Sequence, residues 1–301
     1  MQKRIGITGS TGFVGENLIG YFERSRIKFF PLTREELYSG HYSKIGHGDT
    51  VIHLAGKAHD LKKVSAPEKY FQVNFELTKK LYDAFLNSNA SKFIFISSVK
   101  ASADQVDDVL KESDDPDPKT HYGKSKLMAE EYIQSQPLPD SKSYYILRPC
   151  MIHGSGNKGN LNLLYKLISK GIPYPLASFE NKRSFLSIEN LCFVIREILE
   201  RNDIPSGIYQ VADDETLSTN ELVKLIAQAS GYKARLWNIS PGLIKSIARL
   251  GDVFHLPLTT ERLNKLTENY IVDNTKIKQA LGKELPVGAR DGILKTIRSF
   301  R

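Results

Sequence analysis

Short apolar runs alternate with longer amphipathic stretches through the first half of the chain. Five runs rich in β-branched and aromatic residues predict strands: RIGIT (4–8), IKFFPL (27–32), DTVIHLAG (49–56), KFIFISS (92–98) and SYYILRP (143–149). Apolar residues at helical spacing follow the first run and recur over residues 67–88 and from Tyr122 to about Ser135. Strands that alternate with helices in this way are typical of an α/β protein with a parallel, doubly wound sheet.

The pattern changes after Pro149, where a glycine- and asparagine-rich loop begins and helical periodicity takes over. We expect a sheet domain over residues 1–150 and a smaller, mostly helical lobe over 151–301. A few segments within 151–215, such as GIYQVAD, should rejoin the sheet.

Two helices of the predicted lobe carry signals at their ends. STNELVKLIAQASG (218–231) begins with a capping box, Ser218 to Glu221, and ends on a glycine. NTKIKQALG (274–282) has Asn274 as a candidate cap and Gly282 as a stop.

Composition and charge narrow the class of protein. In 301 residues, 41% are hydrophobic and 25% charged, which is ordinary for a globular chain. No apolar run reaches the length of a membrane span, and the amino terminus lacks a signal-peptide pattern, so we expect a cytoplasmic protein without a membrane partner. The net charge of +8 suits either weak nucleic-acid binding or a basic cleft for an anionic small molecule. Because the basic residues are dispersed, the cleft is favoured and no nucleic-acid partner is expected.

The residue types that bind metals do not form a convincing site. Cys150 and Cys192 have no metal-ligand spacing and are expected to be buried free thiols. His41, His47, His53 and His59 recur every six residues, but they fall in a loop, a turn, a strand and another loop. No metal is expected.

A glycine motif, TGSTGFVG (8–15), stands between the first predicted strand and the first helix. In such a motif Gly9 permits a tight turn, Gly12 lets the backbone approach a pyrophosphate, and Gly15 allows close packing of the helix. The helix N-terminus then presents free N–H groups to the phosphates. The motif predicts binding of a dinucleotide, and a purely structural turn is the alternative.

The end of the second predicted strand bears on which dinucleotide is bound. Many NAD-binding proteins place an acidic residue there to hold the ribose 2′-hydroxyl. Here the tip is Thr33 and Arg34, and a cation suits a 2′-phosphate, so NADP is favoured over NAD. The alternative is that Arg34 is solvated and Glu35 or Glu36 binds the ribose.

Tyr122 and Lys126 are a tyrosine and a lysine four residues apart on a predicted helix. With 14 tyrosines in the chain, about one such pair is expected by chance, so the pair gains meaning only from its context. Both side chains should project from one face of the helix, where the lysine would lower the pKa of the phenol towards neutrality. Ser98, at the carboxyl end of a predicted strand, could hydrogen-bond the same substrate oxygen.

TGSTGFVG, HLAG, ISS, YGKSK and LRP, in this order and spacing, resemble the extended short-chain dehydrogenase/reductase superfamily, and most closely its NAD-dependent nucleotide-sugar epimerase/dehydratase branch. The resemblance covers nearly the whole chain and implies a Rossmann-type fold. It implies a catalytic triad of Ser98, Tyr122 and Lys126, with Ser98 rather than Ser97 at the catalytic position. The implied cofactor-binding residues are Gly9, Thr11, Gly12, Phe13, Val14, Gly15, Arg34, Leu54, Ala55, Gly56, Asn74, Ser97, Tyr122, Lys126 and Pro149. Those implied at the substrate are Ser98, Asn160, Arg183 and Arg262, the last three at its diphosphate.

Departures from the family pattern narrow the reaction. Sugar 4,6-dehydratases carry an acidic pair directly after the catalytic Ser or Thr, whereas this chain has Val99 and Lys100, so water elimination is disfavoured. Met151 replaces an asparagine found in many 4-epimerases. The short stretch before DTVIHLAG suggests that a third strand is reduced.

The resemblance implies hydride transfer at C4 of a UDP-linked sugar, N-acetylated or 6-deoxy, in synthesis of a surface polysaccharide. We favour a 4-ketoreductase, and a UDP-hexose or UDP-N-acetylhexosamine 4-epimerase is the alternative. A non-enzymatic dinucleotide sensor or nucleic-acid binder of the same fold is a remote third reading, because such proteins usually lose the Tyr or the Lys. Many relatives are homodimers, and the helices over residues 67–85 and after Tyr122 could form such an interface here.

Overall fold

The structure is a computed structural model that describes residues 4–40, 42, 44–45, 50–57, 66–157, 159–254 and 258–300. Its strands are β1 (Ile5–Thr8), β2 (Phe29–Leu32), β3 (Thr50–His53), β4 (Lys92–Ile96), β5 (Val109–Leu110), β6 (Ser143–Pro149), β7 (Met151–His153), β8 (Phe185–Ser187), β9 (Gly207–Val211) and β10 (Ile271–Val272). Its α-helices are α1 (Phe13–Arg24), α2 (Arg34–Ser39), α3 (Pro67–Phe71), α4 (Leu77–Leu86), α5 (His121–Ser135), α6 (Asn160–Ile168), α7 (Ile188–Glu200), α8 (Thr219–Ala229), α9 (Pro241–Phe254), α10 (Thr260–Thr267), α11 (Thr275–Leu281) and α12 (Ala289–Arg298).

Six strands form one parallel sheet in the order β2-β1-β3-β4-β6-β9. All five strands predicted in the first half of the chain take part, each somewhat shorter than or equal to its predicted run. GIYQVAD supplies β9, which pairs with β6 from Tyr145 opposite Gly207, as expected for a segment that rejoins the sheet. The central strands are buried on both faces, which is why they read as continuous apolar runs in the sequence. The doubly wound fold is confirmed.

The reduced third strand stays a prediction, because residues 41, 43 and 46–49 of that segment lie outside the described residues. The described residues between Leu32 and Thr50 contain no strand, and β2 is at the end of the sheet order. The cause is local, since Thr33 and Glu36 form a capping box that begins α2 directly after β2. Gly40, with φ of 75°, then ends the helix.

The helix predicted over residues 67–88 is present but is not a regular α-helix throughout. Residues Gln72–Glu76 form a π-helical segment between α3 and α4. Such segments are rare and frequently mark functional sites. Asn74, one of the residues assigned to the cofactor, lies within this segment.

The second half of the chain has a hydrophobic cluster of its own. It is formed by residues between 161 and 297, from α6, α8, α9, α10 and α12 and the loops that join them. The short pairs β7–β8 and β5–β10 connect this region to the sheet domain.

The predicted helix ends are confirmed except for one cap. Ser218 and Glu221 form both hydrogen bonds of the capping box, and Gly282 ends α11 with φ of 58°. The expectation that Asn274 caps α11 is wrong. Its side chain donates to the carbonyl of Ala212, and Asp273 accepts from the N–H of Thr275 instead.

The cysteines and the one described histidine of the six-residue series are structural. Cys150 and Cys192 are buried free thiols, as predicted. His53 is buried between the hydroxyls of Thr8 and Thr78, at 2.7 and 2.9 Å, and burial lowers its pKa to about 3. His41, His47 and His59 lie outside the described residues, within which no group of three or more potential metal ligands occurs.

Candidate active site

The glycine loop between β1 and α1 depends on two close backbone approaches. Gly9 has φ of 69°, and a Cβ atom there would lie 2.6 Å from the backbone nitrogen of Ala55. A Cβ atom at Gly15 would lie 2.2 Å from the carbonyl oxygen of Gly9. Neither position accepts a side chain, so these glycines make the turn possible and hold the helix against it.

Gly12 differs from the other two glycines. A Cβ atom there would meet only the carbonyl oxygen of Gly9, at the ordinary distance of 3.4 Å. Gly12 is the N-cap of α1, and no side chain of the described residues caps this helix. Phe13 and Val14 begin the helix half-buried, and Thr11 is exposed beside them. The loop thus leaves backbone N–H groups and open space where a phosphate could approach.

The segment after β3 forms a second wall beside the glycine loop. The backbone N–H groups of Leu54 and Ala55 donate to the carbonyl and hydroxyl oxygens of Thr8, at 3.3 and 3.1 Å. A Cβ atom at Gly56 would lie 3.1 Å from Nζ of Lys126 and 3.2 Å from Oδ1 of Asn74. Gly56 therefore lies at the point where the glycine loop, Asn74 and Lys126 come together.

Asn74 is fully buried and positions this wall. Its Oδ1 accepts from the N–H of Lys57 at 2.7 Å, and its Nδ2 donates to the carbonyl of Lys57 at 3.1 Å. The same Nδ2 donates to the hydroxyl of Ser125 on α5 at 3.0 Å. Asn74 thereby joins the loop after β3 to the helix that carries Tyr122 and Lys126.

The two serines after β4 have different environments. Ser97 is buried and donates to the carboxylate of Glu130. Ser98 is half-buried, accepts from the N–H of Lys100 at 3.2 Å and, against the larger effect of burial, acts to lower the pKa of the Tyr122 phenol. The choice of Ser98 over Ser97 as the catalytic serine stays a prediction.

Tyr122 lies in the first turn of α5, which Thr120 caps by accepting from the N–H of Gly123 at 3.2 Å. Burial raises the pKa of the Tyr122 phenol above its usual value of 10, and the nearby Ser98 hydroxyl offsets this only in part. The expectation that Lys126 draws this pKa towards neutrality is therefore wrong for the structure as it stands. Burial has the larger effect, and the Lys126 ammonium is directed elsewhere.

Lys126 is buried and donates to the carbonyl of Ile96 at 2.9 Å. Its Nζ lies 4.6 Å from the ring centre of Phe95. Burial lowers the pKa of Lys126 to about 8, while the carboxylate of Glu130 acts in the opposite direction. Glu130 is itself fully buried and paired with Arg148 through both carboxylate oxygens. Sequence reasoning missed this pair, although AEE in the helix and LRP in the strand contain it.

A cavity of about 220 Å³ adjoins Ser98. It is lined by Ser98, Val99, Lys100, Cys150, Met151, Arg183, Ser184 and Tyr270. Arg183 donates to the carbonyl of Lys265 at 3.0 Å, and burial lowers the pKa of its guanidinium. Lys100 lies with its Nζ 4.1 Å from the ring centre of Tyr270, and burial lowers its pKa as well. Two cations therefore share one cavity with the candidate catalytic serine.

Lys100 and Tyr270 were not predicted as parts of a site. In the sequence, Lys100 is notable only because it stands where a dehydratase has an acidic residue. Its position two residues after Ser98 was the one indication that it lies in the site. Tyr270 gave no such signal, because it reaches the cavity from the far end of the chain.

The remaining predicted residues lie around this centre. Pro149 is buried at the end of β6. Asn160 is exposed at the start of α6, and Arg262 is exposed in the first turn of α10. Arg34 is exposed at the start of α2, with its guanidinium 5.7 Å from the ring centre of Tyr38. Glu36 is engaged in the capping box and with Lys44, so of the two acids weighed against Arg34 only Glu35 stays available.

Comparison with known proteins places this arrangement in a family. A profile of the NAD dependent epimerase/dehydratase family matches residues 5–212. A UDP-glucose 4-epimerase of Vibrio cholerae is 30% identical over 100% of this chain and 96% of its own length. A UDP-2-acetamido-2,6-beta-L-arabino-hexul-4-ose reductase of Pseudomonas aeruginosa is 26% identical over 80% of this chain and 62% of its own length.

The fold agrees with these relationships. The crystal structure of a UDP-N-acetylglucosamine 4-epimerase from Bacillus cereus superposes with a TM-score of 0.76 at 20% identity, over 99% of both chains. The profile match covers more than half of the chain, and the Vibrio relative extends over all of it. The chain therefore belongs to the NAD-dependent epimerase/dehydratase family of enzymes, as the resemblance in its sequence predicted.

Proposed function

We propose that this protein is an NADP-dependent 4-ketoreductase of a UDP-linked sugar, acting in the synthesis of a surface polysaccharide. The proposal rests on Ser98, which adjoins a cavity that also contains Arg183, and on Tyr122, whose phenol has its pKa raised by burial and lowered in part by Ser98. Ser98 and Tyr122 can hydrogen-bond a carbonyl oxygen, and Tyr122 can transfer a proton to it. Arg183 can form charge-assisted hydrogen bonds to a diphosphate attached to the same sugar.

The residues at the glycine loop fit a dinucleotide. The uncapped start of α1 and the open space at Gly12 suit a pyrophosphate, with Gly9, Thr11, Phe13, Val14 and Gly15 around it. Leu54, Ala55, Gly56, Asn74, Ser97 and Pro149 are proposed to contact the cofactor, and Lys126 is proposed to hold the nicotinamide ribose. When bound, the nicotinamide supplies the hydride that reduces C4.

Residues of the protein supply the proton that the reduction of C4 requires. Tyr122 donates its phenolic proton to O4 as the C4 carbonyl becomes an alcohol, and Ser98 holds the same oxygen by hydrogen bonding. The raised pKa keeps Tyr122 protonated before the reaction, as an acid in the reductive direction requires. Lys126 is proposed to act through the nicotinamide ribose, because its ammonium donates to the carbonyl of Ile96 and not to the phenol.

The cavity supports the choice of a reaction without water elimination. Val99 and Lys100 occupy the positions where a dehydratase carries acids, and Lys100 lines the cavity. Arg183 is proposed to bind the diphosphate by bidentate hydrogen bonds, with Asn160 and Arg262 at its outer side. Of the three, Arg183 has the strongest support because it lines the cavity itself.

The preference for NADP rests on Arg34. It is exposed directly after β2, where the adenosine ribose of a dinucleotide is held in this fold. A guanidinium suits a 2′-phosphate, and Glu36 is already engaged with Thr33 and Lys44. Use of NAD, with Glu35 at the ribose, is the alternative.

A UDP-hexose or UDP-N-acetylhexosamine 4-epimerase is the second candidate, and the Vibrio relative favours it. An epimerase must retain its cofactor through both half-reactions, whereas a reductase releases it after one. We expect purified protein to lack nicotinamide absorbance and to bind NADPH more tightly than NADH in a fluorescence titration. Nicotinamide that survives purification would instead favour the epimerase. Binding of neither dinucleotide would exclude both.

The domain division and the quaternary structure are further proposals. The separate hydrophobic cluster of residues 161–297 supports a cofactor domain over residues 1–150 and a substrate lobe over 151–301. A homodimer through α3, α4 and α5 is proposed by analogy with the fold alone. The remote alternative, a non-enzymatic dinucleotide sensor or nucleic-acid binder, predicts that Tyr122→Phe leaves function unchanged.

A further inference from the structure

Glu268 places a carboxylate beside the cations of the cavity that adjoins Ser98. It directly follows α10, and its side chain is 20% exposed. Its Oε1 lies 3.5 Å from Nη2 of Arg183, which lines the cavity. Within the part of the chain that the structure describes, Arg183 has no other ion pair. The cation assigned to the substrate diphosphate is therefore already in contact with an anion of the protein.

The contact is loose, and hydrogen bonds do not hold the Glu268 carboxylate. In the described chain the hydrogen bonds of Glu268 are made by its backbone, with Asn264 and Asn181. Burial raises the pKa of Glu268, and the attraction of Arg183 and Lys100 offsets this only in part. The ionised carboxylate therefore destabilises the folded protein, which argues against a purely structural role.

Two other acids around the candidate active site are held in a different way. Glu130 accepts from Arg148 through both of its carboxylate oxygens. Asp104 accepts from the backbone N–H of Thr120 at 3.0 Å and from its hydroxyl at 3.2 Å. Of these three acids, Glu268 is the one whose carboxylate can leave its neighbouring cation without breaking a hydrogen bond to the described residues.

Arg183 has hydrogen-bond donors available for a second anion. A guanidinium carries five N–H donors. One hydrogen bond joins that of Arg183 to the described residues, and it is donated to the carbonyl of Lys265 at 3.0 Å. A diphosphate has two charged groups and can accept from an arginine in a bidentate manner, so it is the stronger partner. It would displace the carboxylate and lose part of its own binding free energy in doing so.

We infer that Glu268 limits the affinity of the cavity for the substrate, because its carboxylate competes with the substrate diphosphate for Arg183. This inference rests on the proposed role of Arg183 at the diphosphate. Without substrate, the carboxylate offsets the charge of the partly buried guanidinium, and substrate binding breaks the ion pair. A limited affinity suits a reductase, which must release its product after each turnover.

Titration calorimetry with UDP tests this inference and requires no turnover. Glu268→Gln removes the competing charge at nearly constant shape, so UDP should bind about tenfold more tightly than to the wild type. The matched control Glu261→Gln removes the same charge from α10, but the Glu261 side chain is 76% exposed and paired with Lys265. This control should bind UDP within about twofold of the wild type, because solvent screens an exposed charge.

Three results for these variants would overturn the inference. The first is unchanged affinity in Glu268→Gln, and the second is an equal gain in the control. The third is weaker binding by Glu268→Gln, which would show that the carboxylate orients Arg183 for the diphosphate. An unfolding temperature no lower than that of the wild type verifies that Glu268→Gln is folded, since it removes a charge that burial disfavours.

The variant Arg183→Leu separates the inference from the function on which it rests. If it binds UDP about 100-fold less tightly than the wild type while Glu268→Gln is unchanged, the inference alone fails. If it binds UDP as the wild type does, the proposed diphosphate site fails and the inference fails with it. Absence of UDP binding by the wild type would contradict both.

Discussion

The glycine-loop end of the sheet and the lobe beyond residue 150 differ in what determines their structure. At the glycine loop the determinant is largely local, because a Cβ atom at Gly15 would meet the backbone of Gly9 and Ser10, six and five residues earlier. In the lobe the determinants are distant in sequence, as in the hydrogen bond from Arg183 to Lys265, 82 residues away. The glycine loop could therefore be predicted from a short sequence motif. The cavity in the lobe could not, because the residues that line it come together only in the folded chain.

The largest expected effect is on turnover, and it comes from substitution of Tyr122. If Tyr122 is the proposed acid, Tyr122→Phe removes the proton donated to O4, and turnover should fall about 10³-fold, within the range for general acid catalysis. Dinucleotide affinity should stay within about twofold, because the phenylalanine keeps the ring in its place beside Tyr70. Steady-state kinetics and fluorescence titration measure the two quantities. Loss of both in parallel would indicate a structural role for the hydroxyl.

Substitutions of Arg183 and Arg262 test where the lobe binds the diphosphate of the substrate. Arg183→Leu should raise KM for a UDP-linked substrate about 100-fold, since the proposed bidentate contact of this partly buried side chain with a diphosphate is lost. Arg262→Leu should raise it less than about tenfold, because that side chain is exposed. Initial-rate measurements with both variants give the comparison. A larger effect for Arg262 would show that the diphosphate lies outside the cavity.

Substitutions of Gly15 and Gly12 test the roles of the glycine loop in stability and in dinucleotide binding. Gly15→Ala should destabilise the protein by about 2–3 kcal/mol, because the methyl group meets the Gly9 backbone at 2.2 Å. Gly12→Ala has room in the protein and should leave the unfolding temperature nearly unchanged while weakening dinucleotide binding. Calorimetry and titration separate the two effects. Equal unfolding temperatures for both variants would contradict the assigned roles.

The cofactor preference depends on a smaller interaction. Arg34→Ser should weaken NADPH binding about tenfold and leave NADH binding nearly unchanged, since only NADPH carries the 2′-phosphate. The ratio of the two dissociation constants is the readout. A variant that loses affinity for both dinucleotides equally would show that Arg34 does not read the ribose.

The smallest effect is a pH dependence from Lys126. With a folded-state pKa of about 8, the lysine loses its charge as pH rises through that value, and kcat/KM should decline by up to about tenfold per pH unit. The pKa lies below that of the free side chain, 10.5, so protonated Lys126 costs stability in the folded state. The free energy of unfolding should therefore rise over the same interval from about pH 8 to 10.5. Lys126→Arg should move the decline in activity to higher pH, and a decline that stays near 8 in this variant would implicate another group.

The comparison also shows how far the sequence alone leads. The six-stranded sheet, the glycine turn and the nearness of Ser98 to Tyr122 follow from short periodic patterns and spacings, and the structure bears them out. The pKa of Tyr122 was predicted in the wrong direction, because burial depends on how residues around it pack and no spacing reports that. Asn274 failed as a cap because its side chain is engaged by two distant partners, the carbonyl of Ala212 and the carboxylate of Asp214. Tyr270 was missed because the cavity that it lines is assembled from residues more than 80 positions apart, from Ser98 and Arg183 to Tyr270.

The most direct test of the central claim is isotope transfer to C4. Protein would be incubated with NADPH deuterated at the transferable position of the nicotinamide and with a UDP-4-keto sugar, and the product examined by NMR. The account predicts deuterium at C4 of the product, in amounts that exceed the enzyme for a reductase. Transfer limited to one equivalent of enzyme would identify the epimerase. Absence of deuterium at C4 across a panel of such sugars would contradict hydride transfer at this carbon and with it the proposed function.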